Sequence, residues 1–297
     1  MNITIVGPGA IGSLWAIKLL QAGHNVALWS RSADNSIDLS LDEQTSLSFS
    51  NNNIEKLPES DLVIFTVKAW QVEEATTPLL QYLDSDTILM FMHNGMGAVD
   101  NIANQIDAHP VVLATTTQAA FKPNSNNVSH TGIGQTQLGA FNLKGQQCTF
   151  LVDVLEHAFP AVSWNPEITT ALWAKLAINC AINPLTGLEQ IKNGELADQR
   201  FNDILSSIVK ELTQVMLEEG ITCSFDELET SVNKVIQATA KNNSSMKQDM
   251  FYQRKTEIDF ITGHLIKTAL KHQIEVPVNQ KLFTQVKERE NRWNHQD

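Results

Sequence analysis

Lys175, Asn179 and Asn183 recur at four-residue spacing in the run Trp173-Ala-Lys-Leu-Ala-Ile-Asn-Cys-Ala-Ile-Asn-Pro184. In an α-helix that spacing stacks three side chains on one face, drifting only about 40° per step. The residues between them are nearly all apolar, as in a buried helix. An ammonium and two amides are costly there unless a polar group faces them. A small polar substrate is such a group. The chemistry that fits is reduction of a ketone. Hydride arriving at the carbon leaves negative charge on the oxygen, which an ammonium stabilises and then protonates. Asn179 and Asn183 would orient carboxylate or hydroxyl groups. The competing readings are a lysine snorkelling from an amphipathic helix and, for Asn183, helix-end chemistry ahead of Pro184.

A carrier for the hydride is implied at the N-terminus. Gly7-Pro-Gly9-Ala-Ile-Gly12 fits G-x-G-x-x-G. Residues 2–6 read as a buried strand and residues 10–22 as a helix, which is the context this motif requires. The first glycine allows the tight turn, the second lets the backbone approach a pyrophosphate, and the third permits close helix–strand packing. The helix N-terminus faces the anion. Gly7, Pro8, Gly9, Ala10, Ile11 and Gly12 therefore form the candidate phosphate cradle. The cofactor's identity turns on the end of the second strand, residues 25–30. An NAD site usually has Asp or Glu there, but this chain has Trp29-Ser30-Arg31-Ser32. Arg31 can pair with a 2′-phosphate, helped by two hydroxyls, which favours NADP(H). The alternative is a solvated loop arginine.

Further candidates sit at strand and helix ends. Lys68 follows the apolar run 62–67, where a cofactor contact fits. Asn94 lies in His93-Asn-Gly-Met-Gly97 after the strand 87–92, and ligands of open α/β sheets bind beyond the carboxyl ends of strands. Its structural alternative is an Asn-Gly turn; His93 is open to an acid or base role, with strand-end packing the stronger reading. Ser245-Met-Lys-Gln248 reads as a capping box opening a long helix over residues 246–272. Ser245 is then an N-cap and also part of an anion site. On one straight helix Ser245 and Glu257 would be about 18 Å apart, too far to share one reacting centre. Glu257 would meet the cofactor, tune Lys175, or stand exposed on a helix face.

The secondary structure that carries these residues changes character along the chain. Strand-like and helix-like segments alternate in the first half. Helical stretches include 70–82 and 144–158, with further strands at 110–117 and 161–164. Such alternation predicts a parallel, doubly wound sheet. Residues 126–139 lack a helical period and read as edge strands. The polar segment 33–58 carries no assignment. From Pro166 onward the segments 167–183, 195–219, 225–241, 246–272 and 279–293 read as helices, broken at Pro184, Gly187, Gly194, Gly220, the Asn242–Ser245 cluster and Pro277. The expected class is α/β: a Rossmann-type doubly wound sheet over residues 1–165, followed by an all-α domain over 166–297.

Composition limits the partners. Of 297 residues, 42% are apolar and 18% charged, and the formal net charge is −12. No basic stretch is present that would neutralise phosphates, so a nucleic-acid binder is not expected. An anionic ligand would need local cations. Cys148, Cys180 and Cys223 form no C-x-x-C, which argues against a disulfide framework or a metal site and fits a reducing cytoplasm. The N-terminus reads as neither a signal peptide nor a membrane span. The oligomeric state stays open between monomer and homodimer.

Taken in order, these segments resemble the ketopantoate reductase (2-dehydropantoate 2-reductase) family over nearly the whole chain. Gly7-Pro-Gly9-Ala-Ile-Gly12-Ser-Leu-Trp15 resembles its nucleotide loop. Val67-Lys68-Ala-Trp-Gln71 and His93-Asn94-Gly-Met-Gly97 resemble its lysine and asparagine loops. Leu172-Trp-Ala-Lys175 through Asn183-Pro-Leu-Thr186 resembles its catalytic helix, followed by Asn193-Gly-Glu-Leu196, Ser244-Ser245-Met246 and Thr256-Glu257-Ile-Asp259. The glycine loop is common to many families, whereas the ordered set is specific. The resemblance implies NADPH-dependent reduction of 2-dehydropantoate to (R)-pantoate, in pantothenate and hence coenzyme A biosynthesis, in a cleft between domains. It implies Lys175 as general acid. It places Asn94, Asn179, Asn183, Asn193 and Ser245 around the substrate. It places Arg31, Lys68, the Ala120 backbone and Glu257 near the cofactor, with Asn94 able to touch both ligands. The rivals are a reductase of another branched 2-oxo acid, and an NADP-sensing protein of the same fold without turnover.

Overall fold

The computed structural model describes residues 1–42 and 44–293. They form two compact units, one of residues 1–93 and 98–171, the other of residues 94–97 and 172–297 as far as described. The fold is α/β with an all-helical second part.

The first unit is built on five parallel strands: β1 (Asn2–Val6), β2 (Asn25–Trp29), β5 (Leu62–Phe65), β6 (Ile88–Phe91) and β7 (Val111–Thr116). β5 and β6 are buried along their whole length, Leu-Val-Ile-Phe and Ile-Leu-Met-Phe. Continuous apolar runs of that kind mark strands covered on both faces. β10 (Thr136–Ala140) joins β7 antiparallel, and β11 (Val162–Trp164) adds in parallel to β10. The sheet order is β11-β10-β7-β6-β5-β1-β2. Against it packs α1 (Ala10–Gln21), whose Leu14, Trp15, Ile17 and Leu19 are all buried.

A second, four-stranded sheet is the main departure from the sequence expectation. β3 (Ser36–Leu41) and β4 (Leu47–Ser50) form a hairpin within the unassigned polar segment. β8 (Ala119–Phe121) and β9 (Asn127–Gly132) complete the order β4-β3-β9-β8. The strands expected at sheet edges are therefore interior: β9 lies between β3 and β8, and β10 between β7 and β11. Burial explains this, since Val128 and Leu138 are 1% and 0% exposed and supply core. The expected helix over 70–82 breaks into α2 (Val72–Thr76) and short 3₁₀ turns around Pro78. The stretch 144–158 is likewise 3₁₀ before α4 (Leu151–Glu156). The remaining short helix is α3 (Ala103–Ile106).

The second unit is helical. α5 (Ile168–Glu189) does not stop at Pro184 as expected but runs through it. An internal proline costs about 3 kcal/mol. Here every residue from Cys180 to Gly187 is buried, and that packing outweighs the cost. α6 (Asn202–Glu218) and α7 (Phe225–Ala238) follow, each with one buried stripe. The expected long helix over 246–272 is two helices, α8 (Ser245–Phe251) and α9 (Thr262–Lys271). Gln253 adopts φ 52° and Arg254 N donates back to Asp249 O at 2.7 Å, which closes α8. α10 (Pro277–Trp293) completes the unit.

The N-terminus of α10 is capped from another helix. The buried Glu211 carboxylate of α6 accepts from Val278 N at 2.8 Å, Asn279 N at 3.0 Å and Asn279 Nδ2 at 2.8 Å. A carboxylate at a helix N-terminus also has the favourable sign for the dipole. Glu211→Ala is expected to destabilise the protein by about 3 kcal/mol, because two buried donors and one part-buried donor lose a charged acceptor. Urea unfolding checks this; a change within about 0.5 kcal/mol would show that the cap contributes nothing.

Candidate active site

In the first unit the glycine loop leaves β1 and enters α1. Gly7 adopts φ 82°, a backbone conformation that favours glycine. Thr66 Oγ1 donates to Gly7 O at 2.8 Å, and Gly7 N donates to Trp29 O at 2.9 Å. A Cβ on Gly12 would lie 2.3 Å from Thr66 Oγ1 and 2.6 Å from Gly7 O, so close approach of helix to loop requires glycine there. Gly9 is different. Its φ is an ordinary −69°, and a Cβ would meet only Gly7 O, at 3.9 Å. Among the described residues nothing demands glycine at position 9, whereas a pyrophosphate approaching the backbone would. Pro8, Ala10 and Ile11 complete the turn onto the α1 N-terminus. These residues fit a dinucleotide.

Arg31 is exposed, two residues beyond β2. Its loop is held by residues the sequence reading did not single out. Ser30 N donates to Asn52 Oδ1 at 2.9 Å, Asn52 Nδ2 to Ser32 O at 2.7 Å, and Asn51 Nδ2 to Asp34 O at 2.6 Å. Asp34, the first acid after the strand, accepts from Ser32 Oγ at 2.7 Å. The available signal was the Asn51-Asn52-Asn53 run, since asparagine amides favour this kind of local backbone bonding. Lys68 is half-buried at the start of a 3₁₀ turn after β5, its N–H on Gln71 Oε1 at 3.2 Å. Ala120 lies on β8 at a β-bulge between Ala119 and Ala120. A bulge interrupts regular pairing at the residue whose backbone was expected near the cofactor.

The second unit brings Lys175, Glu257 and Asn94 together. Lys175 is half-buried on α5, with the fully packed Trp173 before it and the half-buried Asn179 and buried Asn183 after it on the same helix. Burial pushes the Lys175 ammonium down to about 8, and the Glu257 carboxylate opposes that shift. Although the side chain keeps some exposed surface, enough protein surrounds it for desolvation to be the larger influence. Asn94 Nδ2 donates to Glu257 Oε2 at 3.2 Å. The loop bearing Asn94 docks on the turn after Glu257, with Met96 N on Phe260 O at 2.8 Å. A Cβ on Gly95 would lie 2.4 Å from that same oxygen.

Glu257 is 3% exposed and stands on neither a long helix nor a surface face. The segment 252–257 turns back between α8 and the 3₁₀ turn Ile258–Phe260. The straight-helix separation of Ser245 and Glu257 therefore does not apply. The segment is clamped from α10: Glu290 Oε1 accepts from Thr256 N and Oγ1, both at 2.7 Å, and Lys287 Nζ lies 2.9 Å from Asp259 Oδ2.

Ser245 is not the N-cap. Ser244 takes that place, its hydroxyl accepting from Lys247 N at 3.0 Å, and Ser245 is the exposed first residue of α8. The physical reason is the partner of Ser244: Thr186 Oγ1 on α5 pairs with Ser244 Oγ at 2.8 Å, fixing which serine turns inward. Asn193 is buried, its N–H on Asn242 O at 3.1 Å and its Nδ2 on Thr239 Oγ1 at 2.9 Å. Those bonds tie it to the chain after α7.

Residues 3–142 match the family described as ketopantoate reductase PanE/ApbA, and residues 167–290 match its C-terminal part. The 2-dehydropantoate 2-reductase of Vibrio cholerae is 53% identical over 99% of this chain and 99% of its own. That of Salmonella typhimurium is 38% identical over 99% of this chain and 96% of its own. Among solved structures, a D-mandelate dehydrogenase with NADH and anilino(oxo)acetate superposes with a TM-score of 0.90 at 22% identity, covering 99% and 100% of the two chains. A ketopantoate reductase from Ralstonia eutropha gives 0.88 at 23%, with the same coverage. The structures show a shared fold, and the sequence matches reach further: this chain belongs to the ketopantoate reductase family.

Proposed function

We infer that this protein reduces 2-dehydropantoate to (R)-pantoate with NADPH, the reaction that serves pantothenate and coenzyme A synthesis. The observation that carries this reading is Lys175, a lysine tuned to about 8 on an apolar helix that continues with Asn179 and Asn183. NADPH, when bound, supplies the hydride. The glycine loop and α1 N-terminus hold its pyrophosphate, and Arg31 takes the 2′-phosphate. Lys68 and the Ala120 backbone add cofactor contacts. Lys175 stabilises charge on the ketone oxygen and protonates it. Asn179 and Asn183 orient the substrate's carboxylate and hydroxyl, with Asn94 and the N-terminus of α8 at Ser245 as further contacts. Glu257 holds Asn94 and keeps Lys175 protonated. Asn193, held by its bonds to Asn242 O and Thr239 Oγ1, is a further substrate contact. The chain acts on a small molecule rather than nucleic acid, and no helix among the described residues is long and apolar enough to cross a membrane. Three free cysteines fit work in the cytoplasm, as monomer or homodimer.

The direct test is loss of NADPH absorbance with 2-dehydropantoate beside a panel of other 2-oxo acids. Preference for another acid would reassign the substrate, and binding without turnover would make the chain a sensor. The tuned lysine gives a second test. Reduction needs protonated Lys175, so kcat/KM, which reports the free enzyme, should fall as pH rises through about 8. Because the Glu257 charge raises the Lys175 pKa, Glu257→Gln should move that descending limb to lower pH. A limb that stays in place would detach Glu257 from Lys175.

A further inference from the structure

We propose that Lys122 positions the dinucleotide: its ammonium fixes the carbonyl of Pro8 and meets the pyrophosphate. The proposal rests on the dinucleotide reading above. Lys122 directly follows β8. Its Nζ donates to Pro8 O at 2.7 Å and to Ser13 Oγ at 2.9 Å, and Ser13 Oγ itself donates to Pro8 O at 2.9 Å. Ser13 is completely buried in the first turns of α1. The ammonium is thus built into the junction of glycine loop and helix rather than trailing over it.

Three observations show that this cation awaits an anion. It stands beside the N-terminus of α1, the positive end of the helix dipole, where a second positive charge is unfavourable. Its burial is also uncompensated: desolvation pushes its pKa down, and among the described residues no carboxylate pairs with it. An ammonium has three N–H donors, and two are used. A doubly negative pyrophosphate would accept the third and reverse the unfavourable charge balance. The loop sequence strengthens the case. Proline has no N–H, so Pro8 removes one amide that the turn would otherwise offer to a phosphate. Lys122 brings an ammonium to the same residue, while the direction of the missing Cβ on Gly9 is open. With a net charge of −12 on the chain, a local cation is what an anionic ligand needs.

The experiment titrates the full-length wild type, Lys122→Met and Lys122→Arg with NADPH, NADH and 2′-AMP. The last carries the 2′-phosphate but no pyrophosphate. Lys122→Met should weaken NADPH and NADH by the same factor, roughly 10- to 100-fold, as expected for a lost charged hydrogen bond. Its affinity for 2′-AMP should stay within about threefold. Lys122→Arg should recover most of the loss, and in turnover assays the Met variant should show it in the cofactor KM rather than in kcat. Unchanged NADPH affinity in Lys122→Met overturns the proposal. So does an equal loss for 2′-AMP, which would reduce Lys122 to a strut between β8 and the loop. A wild-type chain that binds neither dinucleotide overturns the underlying reading and the proposal with it.

Discussion

Lys175→Ala should lower turnover of 2-dehydropantoate by roughly 10²–10⁴, the usual contribution of a positioned acid. The effect is large because two roles are lost together: charge stabilisation at the ketone oxygen, and delivery of the proton that completes the alcohol. The neighbours that share its site do not supply the same proton. Glu257 is an acceptor when ionised, and the Asn179 and Asn183 amides carry no labile proton of suitable acidity. NADPH affinity should change little, since the glycine loop and Arg31 are on the other structural unit. Stopped-flow measurement of hydride transfer, beside a binding titration with NADPH, separates the two. Turnover within a few-fold of wild type would remove Lys175 from the chemistry.

The second large effect is expected in cofactor choice. Arg31→Ala should weaken NADPH by roughly 10- to 100-fold and NADH far less, because only NADPH presents a 2′-phosphate to the guanidinium. Arg31 is exposed, which would ordinarily make an ion pair weak. Here its backbone is held by the Ser30–Asn52 and Asn52–Ser32 bonds, so less ordering is needed when the phosphate arrives. Equal losses for the two cofactors, measured as Kd, would contradict the 2′-phosphate assignment.

Much of this was legible in the sequence because it is local. The glycine loop needs only its neighbours to make the turn. The four-residue spacing of Lys175, Asn179 and Asn183 survives wherever the helix lies. What the sequence concealed depends on distant partners. The end of α8 has no glycine or proline; Gln253 enters the left-handed region and Thr256 is captured by Glu290, 34 residues on. That single turn moves Glu257 from an expected helix face to a buried place beside Asn94. The choice of Ser244 over Ser245 as cap is settled by Thr186, 58 residues earlier. Helix continuation through Pro184 likewise reflects burial on neighbouring helices, which no local signal encodes. The polar segment 33–58 gave no pattern because its strands are short and half-exposed.

The four-stranded sheet has a consequence for cofactor exchange, in the laboratory or in evolution. Its β3–β4 hairpin leads into Asn51 and Asn52, which shape the Arg31 loop, while its β8 strand leads into Lys122 at the glycine loop. The two pieces are about seventy residues apart in the chain yet are joined through β3 and β9. A graft intended to convert this enzyme to NADH would therefore fail as a single-segment transplant: a hairpin from an NADH-using relative would arrive without the strand it must pair with, and residues 119–132 would have to travel with it.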